Sequence, residues 1–243
     1  MLSIIKSMAL QGLDGYIVDV QVDISAGIPN WEVVGLPDAS VREAKERVRT
    51  AIKNSGYDFQ SRRIVINLAP ADTKKEGSFF DLPIAIGILS DFGEIIEQDY
   101  NNTVFIGELS LNGNINRING ILPICIEAKK LGMKKIILPV ENAKEAAIVM
   151  GIKVIGVENL RQVVEYLNKK IDIEPTRIEI ENIFNKKRKY VFDFSEVKGQ
   201  ENIKRALEVS AARWTQCTYG WTTRIWKNNV SKEITINFTR FNF

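Results

Sequence analysis

The chain has 243 residues, 45% of them hydrophobic, and a formal net charge of +3. That length predicts one domain of about 150–200 residues plus a remainder, with apolar residues enough for a core and no strong global pull toward nucleic acid. There is no histidine and there are two cysteines, Cys125 and Cys217. Ser-His-Asp and Cys-His catalysis and most zinc sites are therefore excluded, a disulfide framework is not expected, and a reducing, cytoplasmic setting is. Neither a cleavable leader nor a stretch long enough to span a membrane is expected.

In chain order, residues 2–10 read as a first strand. Val18, Val20, Val22 and Ile24 alternate with Asp19, Gln21 and Asp23, the period of two of a half-buried antiparallel strand. After a break at Gly27-Ile28-Pro29, residues 31–34 form another strand. Gly35-Leu36-Pro37 leads into a helix for which Ser40 and Glu43 supply a capping box, with Gly56 beyond its end. Val41, Ala44, Val48, Ala51 and Ile52 mark its buried stripe. Arg42, Lys45, Glu46, Arg47, Arg49 and Lys53 clothe the rest as a solvated face, with a phosphate- or partner-binding surface as the alternative.

Residues 64–89, IVINLAPADTKKEGSFFDLPIAIGIL, are what the chain is organised around. A buried strand at 64–68 and a polar loop at 69–78 lead to a helix for which Asp81 is the expected N-cap, ahead of Leu82 and Pro83. Ile84, Ala85, Ile86, Gly87, Ile88 and Leu89 offer no polar face, so the helix must be covered all round, most simply by docking on a sheet. The preceding loop is where a catalytic or ligand group would sit. Runs at 104–109 and 115–118 flank Asn112-Gly113, a short-hairpin signal in which both turn positions take positive φ. Helices follow at 121–131, closed by Gly132, at 141–150 and at 160–167, with strands at 136–138 and 154–157. This is an α+β domain ending near 168.

Residues 169–192 are charged and aperiodic and read as a linker. Its basic run at 186–189 is a solvated tether or a nucleic-acid contact. Residues 193–212 regain order, with Ile203, Ala206, Leu207, Ser210 and Ala211 on one helix face. From 213 onward three of the four tryptophans appear with many Thr and Asn and no periodic pattern.

Four stretches together, NLAPADTKKEGSFFDLPIAIGIL, WEVVGLPDASVREAKERVRTAIKNSGY, FIGELSLNGNI and DFSEVKGQENIKRALEVSAA, resemble the YifB/ComM family of bacterial magnesium-chelatase-like AAA+ ATPases over residues 1–212. The resemblance implies an N-terminal domain of the ribosomal S5 domain 2 type, similar to the proteolytic domain of Lon. A linker and an AAA+ module then follow, and in the competence member that module assembles as a hexamer and drives branch migration of DNA. ATP and Mg2+ are implied for the complete protein, and DNA and further copies of the chain are the implied partners.

Lon-type proteolysis needs a serine activated by a lysine. Laid on this sequence, the Lon pattern puts Phe80 at the nucleophile and Leu122 at the lysine, so no catalytic residue is expected. Ser78 with Lys74 or Lys75 is the local alternative. ATP binding needs G-x-x-x-x-G-K-[ST] between a strand and a helix; the sequence contains no such string. Val197, Gly199 and Gln200 resemble the segment near the adenine in AAA+ modules, an adenine-side remnant without a phosphate site.

The tail offers a reason. Trp is encoded only by TGG, and Trp214, Trp221 and Trp226 each precede Thr or Lys, whose codons begin with A. Read one base later, each becomes GGA, glycine. Permitted codon choices then turn WTQCTYGWTTRIWKNNV into GHNVLMVGPPGSGKTML, with Trp221 and Trp226 on P-loop glycines, Lys227 on its lysine and Asn228 on its threonine. A one-base frame change near Ala212–Arg213 is the expectation; the alternative for 213–243 is a native extension whose aromatics stack on single-stranded bases. Two readings of the whole compete: the N-terminal part of an ATPase without its motor, and a stand-alone DNA- or protein-binding module.

Overall fold

The computed structural model describes residues 2–12, 14–96, 100–178 and 199–213, the side chains of 211–213 excepted. The chain divides into two compact units, Met1–Ile180 and Glu181–Phe243. In the first unit, seven strands form one mixed sheet. Strands β1 (Leu2–Gln11) and β2 (Asp14–Ser25) make an antiparallel hairpin from Leu2↔Asp23 to Gln11↔Asp14. Strand β4 (Arg63–Ala69) pairs antiparallel with β2, and the edge strand β3 (Asn30–Val34) lies parallel to β4. On the other side of β1, strands β5 (Thr103–Phe105), β8 (Lys135–Pro139) and β9 (Lys153–Val157) all run parallel to it. The order across the sheet is therefore β3-β4-β2-β1-β5-β8-β9. The alternation in β2 does what period two requires: Val18, Val20, Val22 and Ile24 are buried.

Helix α3 (Asp81–Asp91) is covered on every side, with each residue from Asp81 to Ser90 buried. It packs on β1 and β2 and under α2 (Ala44–Asn54). Gly87 is where α3 comes closest to the sheet, since a Cβ there would stand 2.6 Å from Val22 Cγ2. Asp81 is not the N-cap. Phe80, the last residue of a 3-10 turn at Ser78–Phe80, holds that position, and the turn makes a cap unnecessary by running straight into the helix. Likewise Asp38, not Ser40, caps the short helix α1 (Ala39–Arg42): its Oδ1 accepts from the Val41 N–H at 2.9 Å and from Ser40 Oγ at 2.8 Å. An ionised carboxylate is the stronger acceptor, so the serine becomes its donor.

The run at 104–109 is two strands. Phe105 ends β5, and β6 (Glu108–Leu109) turns out of the large sheet to pair with β7 (Ile115–Asn116). The connection runs from Ser110 to Asn114, closed by Ser110 N–H to Asn114 O at 2.9 Å, with Leu111 to Gly113 at its tip. Only Gly113 takes positive φ, at 86°, the arrangement of a turn ending in a bulge rather than a two-residue hairpin. Helices α4 (Ile121–Lys130), α5 (Val140–Ala146) and α6 (Leu160–Leu167) connect or follow the parallel strands. Helix α5 stops at Ala146, short of the expected 150. After α6, Ile173 packs on the core and the Thr176 N–H bonds Val154 O at 2.9 Å, so residues 169–178 lie along this unit.

In the second unit, helix α7 (Glu201–Arg213) buries Leu207 and Ser210 and half-buries Ile203, whereas Ala206 is exposed. Among the described residues no helix is long and apolar enough to cross a membrane.

Replacing Gly87 by Val is expected to lower stability by about 1–3 kcal/mol, since the new methyls meet the stiff, buried Val22 rather than open space. Urea unfolding followed by circular dichroism measures it; unchanged stability would mean that α3 can lift off the sheet at no cost.

Candidate functional site

The parallel strands β1, β5, β8 and β9 share one carboxyl end, the end at which open α/β sheets place ligands. There a cleft of about 450 Å³ lies at the close of β1, lined by Gln11, Tyr16, Thr73, Lys74, Phe79 and Asn119 among others. Phe79 adjoins Phe80, and Asn119 and Ile124 bracket Leu122, so the cleft sits where the Lon pattern would put its nucleophile and lysine. Phe80 is fully buried and Leu122 half-buried. Neither can give or take a proton.

The local alternative does not assemble. Ser78 Oγ donates to the Glu108 carboxylate. Glu108 in turn accepts from Asn116 Nδ2 at 3.1 Å. The bond from Ser78 outweighs the cost of burial and holds Glu108 below its usual value, too weak a base for a serine hydroxyl. Lys75 is fully buried, and its ammonium donates to Pro70 O, to Thr73 O at 2.8 Å and to Thr73 Oγ1 at 3.1 Å. Burial lowers its pKa, but the amine is spent on carbonyls. The backbone of Lys75 accepts from Asp38 N–H at 2.9 Å and donates to Leu36 O at 3.1 Å, which straps the 70–77 loop to the start of α1. Lys74 pairs with Glu76 at 2.7 Å in the open. Ser78 and the two lysines are thus neighbours in sequence and not partners.

A residue pair that sequence reasoning missed lies beside them. Arg47 Nε and Nη2 meet Asp81 Oδ2 and Oδ1 at 2.8 and 3.0 Å, and Nη2 also reaches Ser40 O at 2.9 Å. The Leu109 N–H adds a contact to Asp81 Oδ2 at 3.3 Å. The partners shift in opposite energetic senses. The bond to Asp81 raises the Arg47 pKa, whereas burial pushes the Asp81 carboxyl up to about 6 against the pull of Arg47 and Leu109. Exposure explains the contrast, at 24% for the Arg47 side chain and 1% for that of Asp81. The one hint in the sequence was an acid at the head of a helix with no polar face.

This pair also reduces the basic face of α2. Arg42 falls at the end of the separate helix α1 rather than on α2, stays exposed and bonds Pro37 O at 3.2 and 3.1 Å. On α2 the Arg49 guanidinium stands 5.8 Å from the Phe59 ring centre. Lys45 and Lys53 are left as exposed cations of that face. The run at 186–189 and Val197 lie outside the described residues. Gly199 and Gln200 are described: Gln200 has φ of 63° and its carbonyl receives the Ile203 and Lys204 N–H groups at 3.0 Å, opening α7.

The family model for "Subunit ChlI of Mg-chelatase" matches residues 20–142. The chain belongs to this family, in company with ComM and YifB. It is 37% identical to competence protein ComM of Haemophilus influenzae over 213 residues, 87% of this chain and 42% of ComM. To YifB of Escherichia coli it is 38% identical over 212 residues, 87% of this chain and 41% of YifB. Lon protease 2 of Bacillus subtilis is 29% identical over 199 residues, 73% of this chain and 35% of the protease. The chain thus spans about two-fifths of the ComM and YifB sequences it matches.

Arg47→Met, which keeps the stem and removes the charge, is expected to cost about 3–5 kcal/mol because it leaves Asp81 buried without its cation. Chemical denaturation at neutral pH reads this out. For Asp81 itself the folded value of about 6 lies above the ordinary carboxyl value of 3.8, so the folded state holds the extra proton between them. Its contribution to stability therefore falls as pH rises from about 4 to about 6. The same titration on Asp81→Asn should lack that decline; an identical pH profile would show that the carboxyl is ionised throughout.

Proposed function

We propose that residues 1–212 are the N-terminal, non-catalytic part of a ComM- and YifB-type AAA+ ATPase that acts on DNA. On this reading the first unit is a domain of the ribosomal S5 domain 2 type, Lon-like in fold and without the serine-lysine dyad. A tether and the first helix of the motor follow. The observation that carries the proposal is the extent of the similarity: ComM matches over 213 residues, within one residue of the length of chain ahead of 213–243. The bonds that hold Ser78 to Glu108 and Lys75 to Pro70 and Thr73 support a non-catalytic domain.

Residues 213–243 are on this reading the product of a one-base frame change that removed the P-loop. The restored protein would bind ATP and Mg2+ through the sequence beneath Trp221 to Asn228, with Gly199 and Gln200 toward the adenine. It would assemble with copies of itself in the cytoplasm, an assembly resting largely on the motor.

Nucleotide sequencing from the codon for Arg205 to several hundred bases past Phe243, on independently prepared DNA, tests this. The expected outcome is a shifted frame that encodes a P-loop and stays open downstream. An early stop, or no P-loop, would make the tail native and the chain a stand-alone module.

A further inference from the structure

Opposite the cleft at the end of β1, the amino ends of β8 and β9 meet the carboxyl ends of α4 and α6. Lys134 precedes β8, the strand opens on Lys135, and its register sets Lys135 directly beside Lys153 of β9. The Lys153 N–H bonds Lys134 O at 2.9 Å, which holds this corner together. Lys129, in the last turn of α4, lies against Gly151: its Nζ is 3.7 Å from where a Cβ on that glycine would be. Just past α6 come Lys169 and Lys170. Lys129, Lys134, Lys153, Lys169 and Lys170 are exposed.

A helix carboxyl end attracts cations, which accounts for Lys129, Lys169 and Lys170. It does not account for Lys134, just ahead of β8, or for Lys135 and Lys153, which open β8 and β9 and set like charges side by side at a cost to stability. Among the described residues, Lys129, Lys134, Lys153 and Lys170 have no carboxylate within 4.0 Å. Nearby Lys130 is answered by Glu127 at 2.6 Å. Among the described residues, Glu165 on α6 and the exposed Asp172 are further carboxylates near this corner. Of these lysines, Lys135, Lys169 and Lys170 line a cleft of about 450 Å³ whose walls also include Tyr100, Thr103, Tyr166 and Asp172. Lys135 Nζ stands 5.4 Å from the Tyr166 ring centre, which fixes one cation at the cleft wall.

We propose that this corner is a sequence-independent DNA-binding surface, with the phosphate backbone tracked by Lys134, Lys153 and Lys170. It rests on the reading of the chain as part of a DNA-associated machine. The side chains present are ammonium groups, which take phosphate as point charges and read no base edges. Exposed Leu131 and Met150 adjoin the lysines in the chain and make an anionic membrane the competing occupant. The recessed cleft favours DNA, because a sugar-phosphate strand enters it and a bilayer surface does not.

The test uses the full chain and a fluorescent 30-nucleotide DNA, single-stranded and duplex, read by anisotropy from 50 to 200 mM salt. Binding that weakens with salt is expected. Lys134→Gln/Lys153→Gln/Lys170→Gln should weaken it at least tenfold and reduce the salt slope by about 3, one for each phosphate that no longer meets an ammonium group. Lys45→Gln/Lys53→Gln on α2 should leave it unchanged, with both variants folded by circular dichroism. No DNA binding by the full chain, equal binding by the triple variant, loss only when 186–189 is neutralised, or preference for phosphatidylserine vesicles over DNA would each overturn the surface. Those results leave the sequencing test standing, so failure of the surface is separable from failure of the family reading.

Discussion

The structure depends on hiding a helix that has no face for water. Helix α3 carries six consecutive apolar or glycine residues after Pro83, and each must find protein rather than solvent. The β1-β2 hairpin supplies the floor and α2 the roof, and Gly87 lets the floor come close. At roughly 1.5–3 kcal/mol for each large aliphatic side chain fully buried, the four at positions 84, 86, 88 and 89 form a large local source of stability. The rest of the domain is arranged as the enclosure this helix needs.

Total enclosure has a polar cost at the helix start. Asp81 sits at the first turn, where its charge suits the helix dipole, but the same burial that serves Ile84 and Ile86 removes water from its carboxylate. Arg47 answers from α2, and the guanidinium also closes on Ser40 O. Roof and buried helix are thereby tied by one ion pair. Nearby, Glu108 holds Ser78 and Asn116, and Lys75 holds the 70–77 loop by its own carbonyls. The polar groups beside the first cleft thus close on one another. They hold a framework, and Ser78 and Lys75 are each tied into it.

The two ends of the parallel half of the sheet differ in kind. At the carboxyl ends, the cleft beside β1 is bounded in part by groups already paired, Tyr16 with the Lys74 carbonyl, Thr73 with Lys75, and Lys74 with Glu76. At the amino ends cations gather, and among the described residues Lys129, Lys134, Lys153 and Lys170 have no carboxylate within 4.0 Å. The chain as a whole carries only +3, so its charge is placed unevenly, and a polyanion would meet this corner rather than the molecule at large. Helix α2 reads as equally basic in sequence, yet its arginines are turned inward or onto neighbours.

Local chemistry was enough to read the period-two strand β2, the stripe of α2 and the all-round burial of α3, because each depends on spacing within one element. The missing phosphate loop, the absent histidines and the non-catalytic identities of Phe80 and Leu122 were equally plain, since a side chain's chemistry is present in its name. What needed tertiary structure was every choice between competing partners. Asp81 could have capped its helix, Ser40 its own, and Arg47 could have faced water; Asp38 and the buried carboxylate decided otherwise. The meeting of Lys134, Lys135, Lys153 and Lys170 was invisible for the same reason. Residues 134 to 170 are far apart in sequence, and only parallel strand register and the return of α6 bring their charges to one end of the sheet.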